Sequence, residues 1–259
     1  MFGVLERASR KRRIEMKKFL AIILALVMVL SFAACGKKDP KPAEVDPNAK
    51  DQGVLTHSEF IAAADGTDVT IEGFITAFIH QDSWGNSCNL MLQDGDGAYF
   101  VYKLEYEDSV AGKLEVGQKV KVSGIRTAWA GENEIKEKTG TVEILDGTYT
   151  FDYKDVTEFF GKDEITDYQN MKVKISGAKV VSPALYKWDG SGEKGDDLYI
   201  TFEINGSEYQ FLVETDLFGA DSDVYKAVEA LTVGQTVDLE GFLYWYNTPQ
   251  MWIVNVTVK

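Results

Sequence analysis

Arginine all but disappears from this chain once the front end is set aside. Of five arginines, only Arg126 follows residue 34. Bidentate recognition of phosphate and carboxylate is mostly arginine's work, so a polyanion-reading surface is not expected. Histidine is scarce too: His57 and His80 are the only two, and no Ser or Cys nucleophile stands at a recognisable spacing from either. That leaves no Ser–His or Cys–His constellation, and the chain reads as a protein without turnover. Cysteine occurs twice, at Cys35 and Cys88. If Cys35 carries a lipid, no intramolecular disulfide can form, and the fold must stand on hydrophobic packing. Acidic pairs such as Asp94 with Asp96, Asp196 with Asp197 and Asp221 with Asp223 lack the spacing of an EF-hand loop. Asp94-Gly-Asp-Gly97 reads as a turn, so no metal and no cofactor is expected.

What is present is acid. The whole chain has a formal charge of −14, but residues 35–259 hold 20 basic against 39 acidic groups, a formal −19. Such a surface repels polyanions and favours solubility. With 45% hydrophobic residues, 12% aromatics and 23 glycines, the chain suits a globular β-rich protein, and 259 residues leave room for two domains.

Lys17 and Lys18 precede an unbroken apolar run, Phe19 to Leu30, and Ser31-Phe32-Ala33-Ala34-Cys35-Gly36 follows. A basic start, a short apolar core and small residues before a cysteine make an export signal over 1–34, of which 1–15 read as an upstream mis-start. The run is short for a transmembrane span of roughly 20 residues. Ser31 to Gly36 resembles a bacterial lipobox, with Phe32 where an aliphatic residue is usual. The resemblance implies a lipid on Cys35 and a chain anchored to the extracytoplasmic face of the cell membrane. Residues 35–51, the lipidated cysteine and GKKDPKPAEVDPNAKD, carry charge and Pro without apolar periodicity and read as a flexible tether.

An internal repeat sets the architecture. Leu114-Glu-Val-Gly-Gln-Lys-Val-Lys-Val-Ser-Gly124 recurs as Leu231-Thr-Val-Gly-Gln-Thr-Val-Asp-Leu-Glu-Gly241, and Val69-Thr-Ile-Glu-Gly73 matches Val173-Lys-Ile-Ser-Gly177. Alternation predicts strands over 69–78, 90–93, 99–104, 119–127 and 141–145, then over 171–181, 198–204, 208–214, 236–246 and 250–258. Asn205-Gly206 is a two-residue hairpin signal. Each copy has a helical lead-in and a helical stretch between its third and fourth strands. The expected fold is all-β with short helices: two tandem five-stranded OB-like barrels, over 52–147 and 148–259, after the signal and linker.

Leu92-Gln-Asp-Gly-Asp-Gly-Ala-Tyr-Phe-Val-Tyr102 and Val116-Gly-Gln-Lys-Val-Lys-Val-Ser-Gly124 resemble small bacterial OB-fold domains of exported proteins, including those attached to extracellular nucleases, and tandem OB lipoproteins of Gram-positive gut bacteria. The resemblance covers 54–147 well and 149–259 less closely. It implies architecture and hardly any chemistry.

OB barrels usually bind across strands 2 and 3, between the loops after strands 1 and 4. Trp84 and Trp188 occupy the same loop of their respective copies. Arg126 and Trp129 in the first copy, and Tyr244, Trp245 and Tyr246 in the second, stand near the end of strand 4. Rings at these places either close the barrel ends as core or stack on sugars or bases. A nucleic-acid groove needs more cations than Arg126, Lys103 and Lys121 supply against such an acidic chain. Carbohydrate needs only aromatic platforms flanked by amides and carboxylates, and an envelope protein is the other candidate partner. A spacer role in an envelope assembly, without a small ligand, is the alternative.

Overall fold

The computed structural model describes residues 45–259. The export signal, Cys35 and the first part of the tether lie outside the described residues. Among the described residues no helix is long and apolar enough to cross a membrane.

Two closed five-stranded barrels follow one another. The first is made of β1 (Asp68–Ile79), β2 (Ser87–Gln93), β3 (Ala98–Glu105), β4 (Gln118–Trp129) and β5 (Glu132–Ile135), led in by the helix α1 (His57–Ala62). The strand order is β1-β2-β3-β5-β4, with β4 pairing back to β1. A further strand, β6 (Thr141–Thr148), lies antiparallel to β4. In the linker to the second barrel, β7 (Lys154–Asp155) pairs with β8 (Lys172–Val180), the first strand of that barrel. After the two-residue β9 (Leu185–Tyr186) come β10 (Leu198–Ile204) and β11 (Ser207–Val213), then α2 (Thr215–Phe218), α3 (Asp223–Glu229), β12 (Thr236–Tyr246) and β13 (Thr248–Val258). The second barrel closes β8-β10-β11-β13-β12 and back to β8. In both barrels the third and fifth strands are parallel, Phe100 opposite Glu134 and Leu212 opposite Trp252, and every other pairing within the barrel is antiparallel. This is the OB strand order.

The repeat is a repeat of environments. Leu114 and Leu231 are buried, Val116 and Val233 are exposed, and Val120, Val122, Val237 and Leu239 are fully buried. The glycine that ends each copy sits where the wall bends inward: a Cβ on Gly124 would lie 2.6 Å from Ile135, and one on Gly241 would lie 2.3 Å from the Trp252 carbonyl. Asn205 and Gly206 both have positive φ and close β10 onto β11, as their sequence signals.

Two expectations need correction. The fifth strand of the first barrel starts at Glu132, not at Thr141. In the second copy β13 pairs with β12 along its whole length. In the first copy the equivalent strand is interrupted at 136–140, so that β5 closes the barrel and β6, the strand legible in sequence, continues along β4. The four-residue β5 alternates two buried carboxylates with Asn133 and Ile135, which hid it from a search for apolar alternation. The helical stretch expected after β3 is a series of turns in the first barrel. Only 12 residues join β3 to β4 there, with Gly112 at positive φ, whereas 22 residues join β11 to β12 and hold α2 and α3.

Within the stretch read as a tether, residues 45–51 lie against the first barrel. Gly95 N–H donates to the Pro47 carbonyl at 3.0 Å, Lys119 Nζ to the Ala49 carbonyl at 2.9 Å, and Lys50 pairs with the buried Asp94. Asp94 Oδ1 also accepts the N–H groups of Asp96 and Gly97, so the Asp-Gly-Asp-Gly segment is the turn expected of it.

Each barrel has its own core, and a third cluster joins them. Ala77, Ile79, Met91 and Phe100 of the first barrel meet Leu212, Phe242 and Trp252 of the second. Polar contacts surround this seam. Asn170 N–H donates to the Leu243 carbonyl within the second barrel, while Asn247 N–H reaches the Ala130 carbonyl, Lys172 N–H the Gln93 side chain at 3.0 Å, and Gln169 Nε2 the Gly131 carbonyl at 3.0 Å.

Candidate functional site

The 2–3 faces of the two barrels, the faces an OB barrel commonly binds with, are turned toward each other. Between them lies a cleft of about 570 Å³. Its first-barrel wall carries Trp84 from the loop after β1, Asn89 from β2, and Phe100 and Tyr102 from β3. The second barrel supplies Trp188 from the loop after β8, Tyr199 and Gln210 from β10 and β11, and Tyr244, Tyr246, Gln250 and Trp252 from β12 and β13. Strand alternation decides which rings reach it: Tyr244 and Tyr246 share one face of β12, and Trp245 between them points to the other.

The floor is an aromatic cluster. Tyr244 stacks on Trp252 with centroids 4.7 Å apart, and Phe100 meets both edge-on, at 5.4 and 5.9 Å. Trp252 is buried, whereas Trp188 is 62% exposed and Trp84 half-buried at the rim. Gln210 Nε2 donates to the Trp188 carbonyl at 3.2 Å and holds that loop to β11. The charged groups that line the cleft are Glu214 and Asp216; among the described residues no lysine or arginine lines it. Burial, with Asp197 and Asp216 nearby, pushes the Glu214 carboxyl up to about 8. Burial also raises Tyr244, helped by Glu132 and Glu134, and takes Tyr199 to about 12.

A second recess of about 450 Å³ adjoins the first, since Tyr102 and Tyr244 line both. Thr127, Ala128, Trp129, Glu134, Lys136 and Glu137 complete it. The Trp129 ring lies 5.2 Å from Tyr246, so the aromatic surface runs on from one recess to the next.

Of the residues singled out in sequence, Trp84, Trp188, Tyr244 and Tyr246 line the main cleft and Trp129 the adjoining recess. Two do neither. Arg126 is 7% exposed, its guanidinium paired with Asp65 and hydrogen-bonded to Asn133, whose N–H and Nδ2 in turn donate to Gln169 at 3.1 and 2.8 Å. It fastens the end of α1 to β5 and β5 to the linker before β8. Trp245 packs on the second core, with its ring against Gly131, where a Cβ would stand 2.6 Å from it. Sequence missed Tyr102, Tyr199 and Trp252 as lining residues. The first two alternate with core positions on the strands that face the cleft, a signal that was available.

The seam also holds a buried acid. Glu132 is fully buried, and Asn170 Nδ2 donates to its Oε1 at 2.6 Å. Glu132 Oε2 and Asn170 Oδ1 have no partner among the described residues. Burial holds this carboxyl well above the usual range, against the lowering effect of the Asn170 hydrogen bond. Cys88 is buried and burial pushes its thiol up to about 12, which makes it a small core residue and not a nucleophile. Among the described residues no three His, Cys, Asp or Glu side chains are grouped to hold a metal.

No protein-family model and no curated protein matches the chain. Among solved structures, the hypothetical protein ygiW from E. coli is similar over 36% of this chain and 89% of its own, at 20% identity and a TM-score of 0.27. A murine DNA-binding protein bound to double-stranded DNA is similar over 73% and 94%, at 9% identity and a TM-score of 0.33. A replication protein A heterotrimer bound to single-stranded DNA is similar over 76% and 49%, at 11% identity and a TM-score of 0.28. At these scores nothing is carried from them to this chain, and the OB assignment rests on the strand order above.

Proposed function

We propose that this chain is a non-catalytic binding lipoprotein of the cell envelope, tethered through Cys35, and that the cleft between its barrels holds a carbohydrate. One observation carries the reading: aromatic residues from both barrels converge on a single cleft whose other polar lining residues are amides and carboxylates, with Lys103, over the Tyr102 ring, the cation beside it. Sugar rings present C–H faces that pack on indole and phenol, and hydroxyls that bond with Asn, Gln and carboxyl groups. A nucleic-acid strand would bring phosphates to Glu214 and Asp216, with no lysine or arginine among the lining residues and only Lys103 beside them.

The test is a titration of intrinsic tryptophan fluorescence with a glycan panel and single-stranded oligonucleotides in parallel. Saturable binding of a glycan is expected. Its affinity should fall about tenfold in Trp84→Ala and in Trp188→Ala, within the roughly 1–3 kcal/mol of a stacked ring, and change little with salt. A response to oligonucleotides alone, collapsing as salt rises, would replace this reading with a nucleic-acid one. The tether is checked separately: Cys35→Ala should move the protein from the membrane fraction, and unchanged partitioning would reject lipidation.

A further inference from the structure

We propose that the cleft selects an amine-bearing glycan, a chain of amino sugars with free ammonium groups, over its neutral or N-acetylated counterparts. The proposal rests on the carbohydrate reading above and names the class of sugar.

The adjoining recess supplies the independent observation. Glu134 is 6% exposed, forms part of the recess wall, and its carboxyl has no hydrogen-bond partner among the described residues. A carboxyl largely withdrawn from water and without a protein partner gains from a ligand that pairs with it. The recess around it is lined by Trp129, Tyr102 and Tyr244 together with Thr127, Ala128, Lys136 and Glu137, and aromatic faces attract a cation and not an anion. Tyr102 already takes one in this way: Lys103 Nζ lies 5.1 Å from its ring centroid. An ammonium is the one common sugar substituent that satisfies both a ring face and a carboxylate.

The charge around the two recesses points the same way. Glu214 and Asp216 line the cleft, and Glu134 and Glu137 line the recess, against Lys136 there and Lys103 over Tyr102. Asp197 stands beside Glu214, and Glu132 and Glu134 both bear on Tyr244. Burial with Glu137 nearby takes Glu134 up to about 7, and Glu214 is held at about 8, so both keep part of their protons near neutrality. An arriving ammonium stabilises their charged forms and displaces those protons. Because Tyr102 and Tyr244 line both recesses, one oligomer can place successive amines near Glu214 and near Glu134.

The experiment is isothermal titration of the full chain, in mild detergent, with three hexamers at about pH 5.5, where most glucosamine amines are charged: β-1,4-linked glucosamine, N-acetylglucosamine and glucose. The glucosamine hexamer should bind about tenfold tighter than the other two, or about 1.4 kcal/mol, and release protons, read as a heat that differs between buffers of different ionisation enthalpy. In Glu134→Gln and in Glu214→Gln the ratio of glucosamine to glucose hexamer affinities should fall about fivefold, while in Glu143→Gln, an exposed acid on β6 that lines neither recess, it should hold. Equal binding of all three hexamers overturns amine selection and leaves the carbohydrate reading standing. Binding of none of them removes both. Spermine binding as tightly as the glucosamine hexamer also overturns the proposal, because the sugar ring then contributes nothing. The wild-type comparison decides the matter even if a variant fails to fold.

Discussion

Glu132 shows how one side chain links the seam to pH. Its folded-state carboxyl is raised by burial, as are those of Glu134 and Glu214, while an unfolded glutamate titrates near about 4.3. A raised folded value means that the unfolded chain loses its proton first. The stability these groups permit is therefore full below about pH 4 and is lost as pH rises toward 7 and 8. The melting temperature should fall from pH 5 to pH 8. Glu132→Gln, which keeps an acceptor for Asn170 Nδ2 and brings a donor for Oδ1, should raise it at pH 8 and leave it nearly unchanged at pH 5. Glu132→Ala removes the acceptor of Asn170 Nδ2 and opens a void, and should cost about 2–4 kcal/mol in urea titrations at either pH. A steeper pH slope in Glu132→Gln would contradict a neutral carboxyl at this site.

Among elements, β5 matters out of proportion to its four residues. It closes the first barrel against β3 and β4, its side chains Asn133 and Glu132 reach Gln169 and Asn170, and Arg126 anchors it from β4. Arg126 therefore belongs to the scaffold. Arg126→Lys loses the forked geometry that meets Asp65 and Asn133 together, and should destabilise the protein by about 1–2 kcal/mol. Glycan affinity of the folded variant should stay within a factor of about two. A large loss of affinity at unchanged stability would return Arg126 to the binding face. The sequence announced β4 through its repeat and β6 through alternation, but β5 has no apolar period, because the residues that fasten it to the second barrel occupy the positions that would show one.

At the scale of the molecule, the seam makes two barrels into one unit. Each barrel has a core cluster of its own, and Phe100, Leu212 and Trp252 pack in a third cluster drawn from both barrels. Heat or urea should thus unfold residues 45–259 in one transition, with calorimetric and van't Hoff enthalpies in agreement. Phe100→Ala removes the ring that touches both Tyr244 and Trp252 and should cost about 3–5 kcal/mol. Two separate transitions in the unsubstituted protein would show that the barrels are independent and that the cleft is not a fixed site.

The sequence by itself determined the number of barrels, their strand alternation, the Asn205-Gly206 hairpin and the acidity of the chain, because each is written in residues close together or in composition. It also placed Trp84, Trp188, Tyr244 and Tyr246 in or beside the loops with which an OB barrel commonly binds. Only the tertiary structure decided that these rings face one another. Periodicity reports which side of a strand is apolar, and Phe100 and Trp252 read as core whether the partner is the same barrel or the next one. Which apolar face meets which is set by contacts between residues some 150 positions apart, and no local pattern records them.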